Sequence, residues 1–231
     1  MPYALQCDNH GNYMAYGCDE NSSRRELFTQ QDASSEYIVI ENIFGDDVNM
    51  EQNMEPIAND CNMSGLRPAM ASLEYPPIQV SERNLSYAQL LEQDYCGAVS
   101  ELSAITQYIN NENRLSCERC PVAKSILEIA MAEMMHLQKL GELIFLLGGK
   151  VDFTVKQPNG RLKMWTPAYL TLPENARQMI LADIEAEKAA IAQYRKHISM
   201  IKDPYVNDVL ARIIIDEEYH IMLLHALMEE L

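Results

Sequence analysis

The 231-residue chain has few basic residues, no long apolar run and little cysteine. Its 18 lysines and arginines are outnumbered by 34 aspartates and glutamates, which gives a formal net charge of −16. Nucleic acids and anionic membranes bind basic surfaces, so this balance argues against both as partners. No run of about 18 apolar residues occurs, so we expect no transmembrane helix. The N-terminus lacks a basic segment followed by an apolar one, so we expect no secretory signal and a cytoplasmic protein.

The six cysteines are too few, in a chain of this length, for a dense disulfide framework. Cys117 and Cys120 form a single CxxC pair. A structural zinc site or a rubredoxin-like iron site needs four ligands, usually from two such pairs. We therefore expect ordinary loop thiols here, with a redox or metal role for the pair as the alternative.

Glutamates and histidines occur twice at nearly the same spacing. A lone glutamate is followed by a Glu-x-x-His pair after 32 residues in the first copy (101 to 133) and after 30 in the second (187 to 217). The six residues are Glu101, Glu133, His136, Glu187, Glu217 and His220. Residues three apart return to one face of a helix, so each copy predicts two helices that direct these side chains to a common centre. Such a set is typical of a di-metal carboxylate four-helix bundle.

The flanking residues place these carboxylates on the apolar faces of their helices. One and two turns away from Glu133 and Glu217 the residues are almost all Ile, Leu or Ala. A buried carboxylate is costly unless it is paired or binds a metal ion. We therefore predict that the six residues bind two metal ions, whose charge four glutamates would neutralise. Oxygen and imidazole ligands without thiolate select iron or manganese, but not between them.

Several neighbours of the predicted ligands have two possible roles. Tyr108 and Tyr194 follow the lone glutamates by seven residues. Each is either a core tyrosine with a satisfied hydroxyl or a hydrogen-bonding or redox partner of the metal centre. We expect Asp216 to face other helices or solvent, Asp183 to hydrogen-bond a ligand histidine, and His197 to have no special role.

Two regions differ in composition. Residues 1–80 hold 13 acidic and 3 basic residues and show no sustained helical period. They would bury too little to fold alone, so we expect an acidic, disordered N-terminal extension. Residues 81–231 are predicted to be the folded domain.

Capping signals and prolines in this domain predict four long helices, at about 87–112, 121–147, 172–202 and 204 to the C-terminus. Residues 150–170 predict a β-hairpin around a Gln157–Gly160 turn. Because a connection this long can cross the bundle, the predicted fold is all-α, a ferritin-like four-helix bundle with one long crossover.

About residues 85–231 resemble the ferritin-like superfamily, specifically its rubrerythrin and manganese-catalase branches. The resemblance rests on the segments GAVSELSAITQY, AEMMHLQKLGEL, DIEAEKAAIAQY, DPYVND and DEEYH. The third and fourth of these also look like spore-coat relatives of manganese catalases. The resemblance implies the same six metal ligands, although the position matching Glu217 can lie outside the ligand set in manganese catalases. Unlike most rubrerythrins, this chain cannot build a rubredoxin-like domain from one CxxC.

The resemblance implies a di-metal oxidoreductase that reacts with hydrogen peroxide or dioxygen. With two manganese ions per chain we expect catalase chemistry, and with two iron ions a peroxidase that needs an external electron-donor protein. The alternatives are a ferroxidase in iron storage and a structural or spore-coat-like assembly protein that keeps the fold. By analogy with ferritin-like bundles, we expect a homo-oligomer, a dimer or larger.

Overall fold

The computed structural model describes the backbone of two short N-terminal strands and all of residues 61–157 and 159–231. The chain divides into two units, Met1–Ile57 and Ala58–Leu231. In the first unit, β1 (Tyr3–Cys7) and β2 (Tyr13–Gly17) form an antiparallel pair, which the sequence analysis did not predict. For the other residues before 61, the prediction of disorder lies outside the described residues.

Helices make up most of the second unit. In chain order, the described elements are α1 (Leu85–Cys96), α2 (Glu101–Leu115), α3 (Cys120–Leu146), β3 (Thr154–Lys156), β4 (Leu162–Met164), a 3-10 helix (Pro167–Tyr169), α4 (Ala176–Met200) and α5 (Pro204–Glu229). Helix α2 packs on α3, and α4 packs on α5. The residues between α3 and α4 carry the antiparallel β3–β4 hairpin. The predicted all-α bundle with one long crossover and a hairpin is confirmed.

The prediction of one helix over residues 87–112 is wrong, because the chain breaks between α1 and α2. Gly97 caps α1 by donating its backbone N–H to the Gln93 carbonyl oxygen. A Cβ at Gly97 would lie 2.5 Å from that oxygen, so the break requires glycine. The Ser100 side chain then caps α2 by accepting from the Ser103 N–H. As a result Glu101 lies in the first turn of α2, where the helix dipole favours a carboxylate.

Residues 61–80, which we call the strap, lie against the bundle, whereas the sequence analysis assigned them to a disordered extension. The Ala69 N–H donates to the Glu128 carbonyl oxygen on α3 at 2.8 Å. At the N-terminal end of the strap, Cys61 forms a disulfide with Cys120, with 5.3 Å between the Cα atoms. Cys120 is therefore not the loop thiol that we expected, and Cys117 is an exposed free thiol. The composition of residues 1–80 as a whole is acidic and concealed this segment. Within it, strap residues such as Tyr75 pack against the core.

The core of the bundle consists of two apolar clusters with a polar layer between them. Representative members are Leu140, Leu143, Ile191 and Leu210 in one cluster, and Ile126, Ala130, Ile184 and Leu224 in the other. Along α3, α4 and α5, the predicted metal ligands fall between these two sets of residues. None of the helices in the described part of the chain combines the length and apolar composition needed to cross a membrane.

Candidate metal centre

The four helices α2 to α5 bring all six predicted ligands into the polar layer. Each side chain is at least 97% buried, with relative exposures of 0 to 3%. Helix α2 contributes one glutamate, α4 contributes one glutamate, and α3 and α5 each contribute a Glu-x-x-His pair. The structure thus brings the two copies of the repeat together at one centre. That these residues bind metal stays a prediction.

The six residues form two overlapping groups of four. One group contains Glu101, Glu133, His136 and Glu217, and the other contains Glu133, Glu187, Glu217 and His220. Within each group, one potential ligand atom per residue lies within 4.8 Å of the others. Glu133 and Glu217 belong to both groups. The arrangement therefore suits two cations joined by two shared carboxylates.

His136 directs its Nδ1 atom to the centre of the first group. This atom lies 2.8 Å from Glu133 Oε2, 3.4 Å from Glu217 Oε1 and 3.6 Å from Glu101 Oε2. Its other ring nitrogen, Nε2, points outward and lies 3.2 Å from Asp216 Oδ2. A carboxylate accepts a hydrogen bond, so Asp216 favours the tautomer with hydrogen on Nε2 and a free lone pair on Nδ1.

His220 has the same orientation in the second group. Its Nδ1 atom lies 3.0 Å from Glu217 Oε2, 3.1 Å from Glu133 Oε1 and 3.6 Å from Glu187 Oε1. Its Nε2 atom lies 2.8 Å from the backbone carbonyl oxygen of Ala69. A carbonyl oxygen can only accept, so Nε2 carries the hydrogen and Nδ1 is available for a metal ion.

The two tyrosines contact the centre crosswise. The Tyr108 hydroxyl, from the first copy of the repeat, donates to Glu187 Oε1 in the second copy. The Tyr194 hydroxyl, from the second copy, donates to Glu101 Oε1 in the first. These contacts favour the interpretation as partners of the metal centre. They also fix the two glutamates that belong to only one group each.

Asp216 was expected to face other helices or solvent, but it is fully buried beside the centre. Besides its contact with His136, it accepts from the Tyr75 hydroxyl and the Ala71 N–H and pairs with Arg212 at 2.6 Å. Burial alone would raise the pKa of Asp216, but the hydrogen bonds from His136, Arg212 and Tyr75 hold that pKa well below its usual range. Its position directly before Glu217 did not indicate a contact with the centre, because adjacent residues in a helix point about 100° apart.

Two further expectations about neighbouring residues are wrong. Asp183 accepts from Gln107 at 2.7 Å and Asn111 at 2.9 Å instead of from a ligand histidine. Burial raises the pKa of Asp183 to about 6, although both amides lower it. His197 is buried, and its Nδ1 atom lies 2.7 Å from Asp94 Oδ2, so it has a specific partner in the core.

Without metal, the charges at the centre are balanced by protons. Burial and the nearby charges of Glu133 and Glu217 raise the pKa values of Glu101 and Glu187. Burial lowers the pKa values of the two histidines, but the surrounding carboxylates raise them by more. Both pKa values are therefore well above their usual range. Burial would raise the pKa of Glu133, yet the two histidines hold it well below its usual range. Metal ions would replace these protons.

Three buried atoms of the second group suit a cation. In the described part of the chain, Glu133 Oε1, Glu217 Oε2 and His220 Nδ1 are buried and make no hydrogen bond. They contact one another as ion pairs, with His220 Nδ1 lying 3.1 Å from Glu133 Oε1 and 3.0 Å from Glu217 Oε2. Carboxylate oxygens with imidazole nitrogens, and no sulfur, match iron or manganese.

A cavity of about 540 Å³ opens onto the centre between α2 and α4. Its lining includes all four glutamates and the small residues Ala104 and Ala186. Tyr169 and Leu181 also line it. A small molecule can therefore reach the carboxylates from this side.

Comparisons with known proteins agree with this fold. Residues 99–231 match the family model of the ferritin-like domain. A probable manganese catalase of Clostridium acetobutylicum is 24% identical over 160 residues, covering 62% of this chain and 70% of that protein. Protein CotJC of Bacillus subtilis is 26% identical over 155 residues, covering 60% of this chain and 80% of that protein.

Solved structures give the same result for the fold. KatB, a manganese catalase from Anabaena, superposes with a TM-score of 0.58 at 24% identity, over 69% of this chain and 78% of that one. A bacterioferritin of Rhodobacter capsulatus with a metal-free dinuclear site and heme iron superposes with a TM-score of 0.52 at 23% identity, over 64% of this chain and 86% of that one. The predicted resemblance is confirmed, and the chain belongs to the ferritin-like family.

Proposed function

We propose that this protein is a di-metal oxidoreductase that converts hydrogen peroxide to water and dioxygen, with two manganese ions as its preferred cofactor. The observation that carries the proposal is the pair of overlapping ligand groups, which share Glu133 and Glu217 and face a cavity. The similarity to two manganese catalases supports manganese over iron. Iron at the same residues remains the chemical alternative, because the ligand atoms suit both metals.

Two bound metal ions would supply the two-electron change and the Lewis acidity that peroxide cleavage needs. The protein would hold the ions together through Glu133 and Glu217 and orient each histidine through its outer nitrogen. Tyr194 and Tyr108 would keep Glu101 and Glu187 in place by hydrogen bonds to their Oε1 atoms.

The charge around the cavity favours a neutral substrate. The whole chain carries a net charge of −16, so anions such as superoxide are repelled. Hydrogen peroxide is neutral and small enough to pass. Disproportionation also requires protons to leave one peroxide and reach the next. Glu101 and Glu187, which line the cavity, are the carboxylates placed to accept and return them.

The test is the metal content of protein purified from its native host, combined with oxygen release after peroxide is added. Two manganese ions per chain and one dioxygen for every two peroxides are expected. Two iron ions, with peroxide consumed but no dioxygen, would refute catalase chemistry and indicate a peroxidase with an external electron-donor protein. Protein without metal would favour the structural, coat-like alternative.

Iron storage is the second candidate function, because the fold also resembles bacterioferritin. It would require the same centre to oxidise Fe(II) and many copies to enclose a mineral. Size-exclusion chromatography with light scattering separates the two functions. A large hollow shell favours storage, whereas a small oligomer favours the catalase.

A further inference from the structure

The strap contacts both histidines of the candidate metal centre from outside, directly at His220 Nε2 and through Asp216 at His136 Nε2. It lies outside the family match. The match begins at residue 99, and the strap covers residues 61–80. It lies along α3 and α5, whereas the substrate cavity opens between α2 and α4.

The first contact runs from the strap to His220. The Ala69 carbonyl oxygen lies 2.8 Å from His220 Nε2, and both residues are buried. This carbonyl is anchored to α3, because the Ala69 N–H donates to the Glu128 carbonyl at 2.8 Å and the Arg67 N–H donates to the Glu128 side chain at 3.3 Å. Any movement of the strap at this point would remove the acceptor that fixes the His220 tautomer.

The second contact runs through Asp216 to His136. The Ala71 N–H donates to Asp216 Oδ1, and the Tyr75 hydroxyl donates to Asp216 Oδ2, both at 2.7 Å. The same Oδ2 atom faces His136 Nε2 at 3.2 Å. Arg212 holds the strap here by donating to the Ala71 carbonyl at 2.8 Å. Asp216 is therefore oriented by strap atoms on one side and contacts a metal-binding histidine on the other.

Covalent and polar contacts hold the two ends of the strap. The Cys61–Cys120 disulfide joins the N-terminal end to the start of α3. At the C-terminal end, the Ser81 N–H donates to Asp203 Oδ2 at 2.6 Å. Ala69 is eight residues from the disulfide, whereas Tyr75 lies nearer to the Ser81 contact.

We propose that the strap positions both metal-binding histidines and that the Cys61–Cys120 disulfide controls how tightly the centre retains metal. The proposal rests on the metal centre described above but not on catalase chemistry. A disulfide is a reversible covalent contact, which suits such a role. A dithiol reductant would open it by exchange: one thiolate attacks a sulfur, the second closes the reductant's own disulfide, and Cys61 and Cys120 leave as thiols.

Opening the disulfide has unequal effects on the two histidines. The freed end of the strap is the end nearer Ala69, which is then held to α3 only by the Ala69 and Arg67 N–H contacts with Glu128, so the acceptor of His220 becomes the less firmly held of the two. Tyr75 and Asp216 stay held by Arg212 and by the Ser81 end. One of the two ions should therefore leave faster than the other.

The first experiment uses the full chain loaded with manganese(II) and follows metal loss to an added chelator. Tyr75→Phe should release one ion of two about 10-fold faster, which is the usual size of such an outer contact. The electron paramagnetic resonance spectrum should then change from a coupled pair to an isolated manganese ion. Tyr205→Phe, at an exposed tyrosine of α5, is the matched control and should behave as wild type. Uniform acceleration of both ions would indicate general destabilisation and refute positioning.

The second experiment compares the disulfide with a control cysteine. Adding a dithiol to wild type and to Cys117→Ser should accelerate the loss of one manganese ion about 10-fold, because both have the disulfide. Cys61→Ser should lose that ion quickly with or without the dithiol. Equal release rates in reduced and oxidised wild type would overturn the proposal even if Cys61→Ser fails to fold. Wild type that binds neither manganese(II) nor iron(II) would instead refute the metal centre itself.

Discussion

Replacing Glu217 by glutamine should remove both metal ions, whereas replacing its neighbour Glu218 should remove none. Glu217 is 1% exposed and belongs to both ligand groups. The Glu218 side chain is 53% exposed and pairs with Arg195 at 2.8 Å on the surface. Glutamine keeps the volume of glutamate and loses its charge, so a difference between the two variants reports on metal ligation and not on packing.

The structure sets a graded scale for this effect. At a metal concentration 100 times the dissociation constant, each site stabilises the fold by about 2.7 kcal/mol, so two sites contribute about 5 kcal/mol. In a domain of this size, that corresponds to a rise in Tm of about 10–20 °C. We expect the full rise in wild type and Glu218→Gln, and almost none in Glu217→Gln. Glu187→Gln should retain about half, because Glu187 belongs to one group only.

Metal analysis after dialysis gives the number of bound ions per chain. Calorimetry with and without manganese(II) gives the rise in Tm independently. A Glu217→Gln protein that keeps two ions per chain and the full rise in Tm would contradict a role of Glu217 in both ligand groups. Loss of a single ion would show that Glu217 serves one metal position and that Glu133 alone is shared.

Four further predictions test the same structure. Acidification should weaken manganese binding, because two glutamates and both histidines have raised pKa values in the metal-free protein and must lose protons when metal binds. Calorimetric titration in two buffers of different ionisation enthalpy measures the number of protons released. The stability of the metal-free fold should respond to pH with the opposite sign. The stability that these groups contribute is fully present below their ordinary pKa values of 4.5 and 6.5 and is lost as pH rises. The Tm of the metal-free protein should therefore be lower at about pH 8 than at about pH 6. Tyr108→Phe removes the donor to Glu187 and should slow oxygen release about 10-fold with both metals retained; an unchanged rate would mean that the hydroxyl only fills the core. Gly149→Ala places a methyl group 2.7 Å from the Cβ atom of Ala88 and should cost about 1–3 kcal/mol in urea unfolding, so an unchanged midpoint would contradict the packing.

The helices that carry the ligands could be predicted from local signals. Asp203 caps α5, and Pro204 begins it, as the sequence indicated. The break between α1 and α2 was missed because an amphipathic pattern continued through Gly97 to Ser100. Whether a glycine ends a helix depends on where the chain must turn, and that is set by packing against α3 and α4.

The strap could not be predicted, because composition averages over a window. Among the described residues of the acidic segment, those of the strap hydrogen-bond to the bundle mainly through backbone groups such as the Ala69 carbonyl and the Ala71 N–H. Backbone contacts leave no mark on the sequence. The pairing of Cys61 with Cys120 was hidden for a related reason, because the two residues are 59 positions apart.

The sequence by itself determined the six candidate ligands and the all-α bundle, because both depend on spacing along a helix. Glutamate and histidine three residues apart must share a face wherever the helix lies. The tertiary structure decided which glutamates belong to both candidate groups, which tyrosine contacts which carboxylate, and what lies behind each histidine. Those relations join residues from different helices and from the strap, and only the packing of the chain brings them within hydrogen-bonding distance.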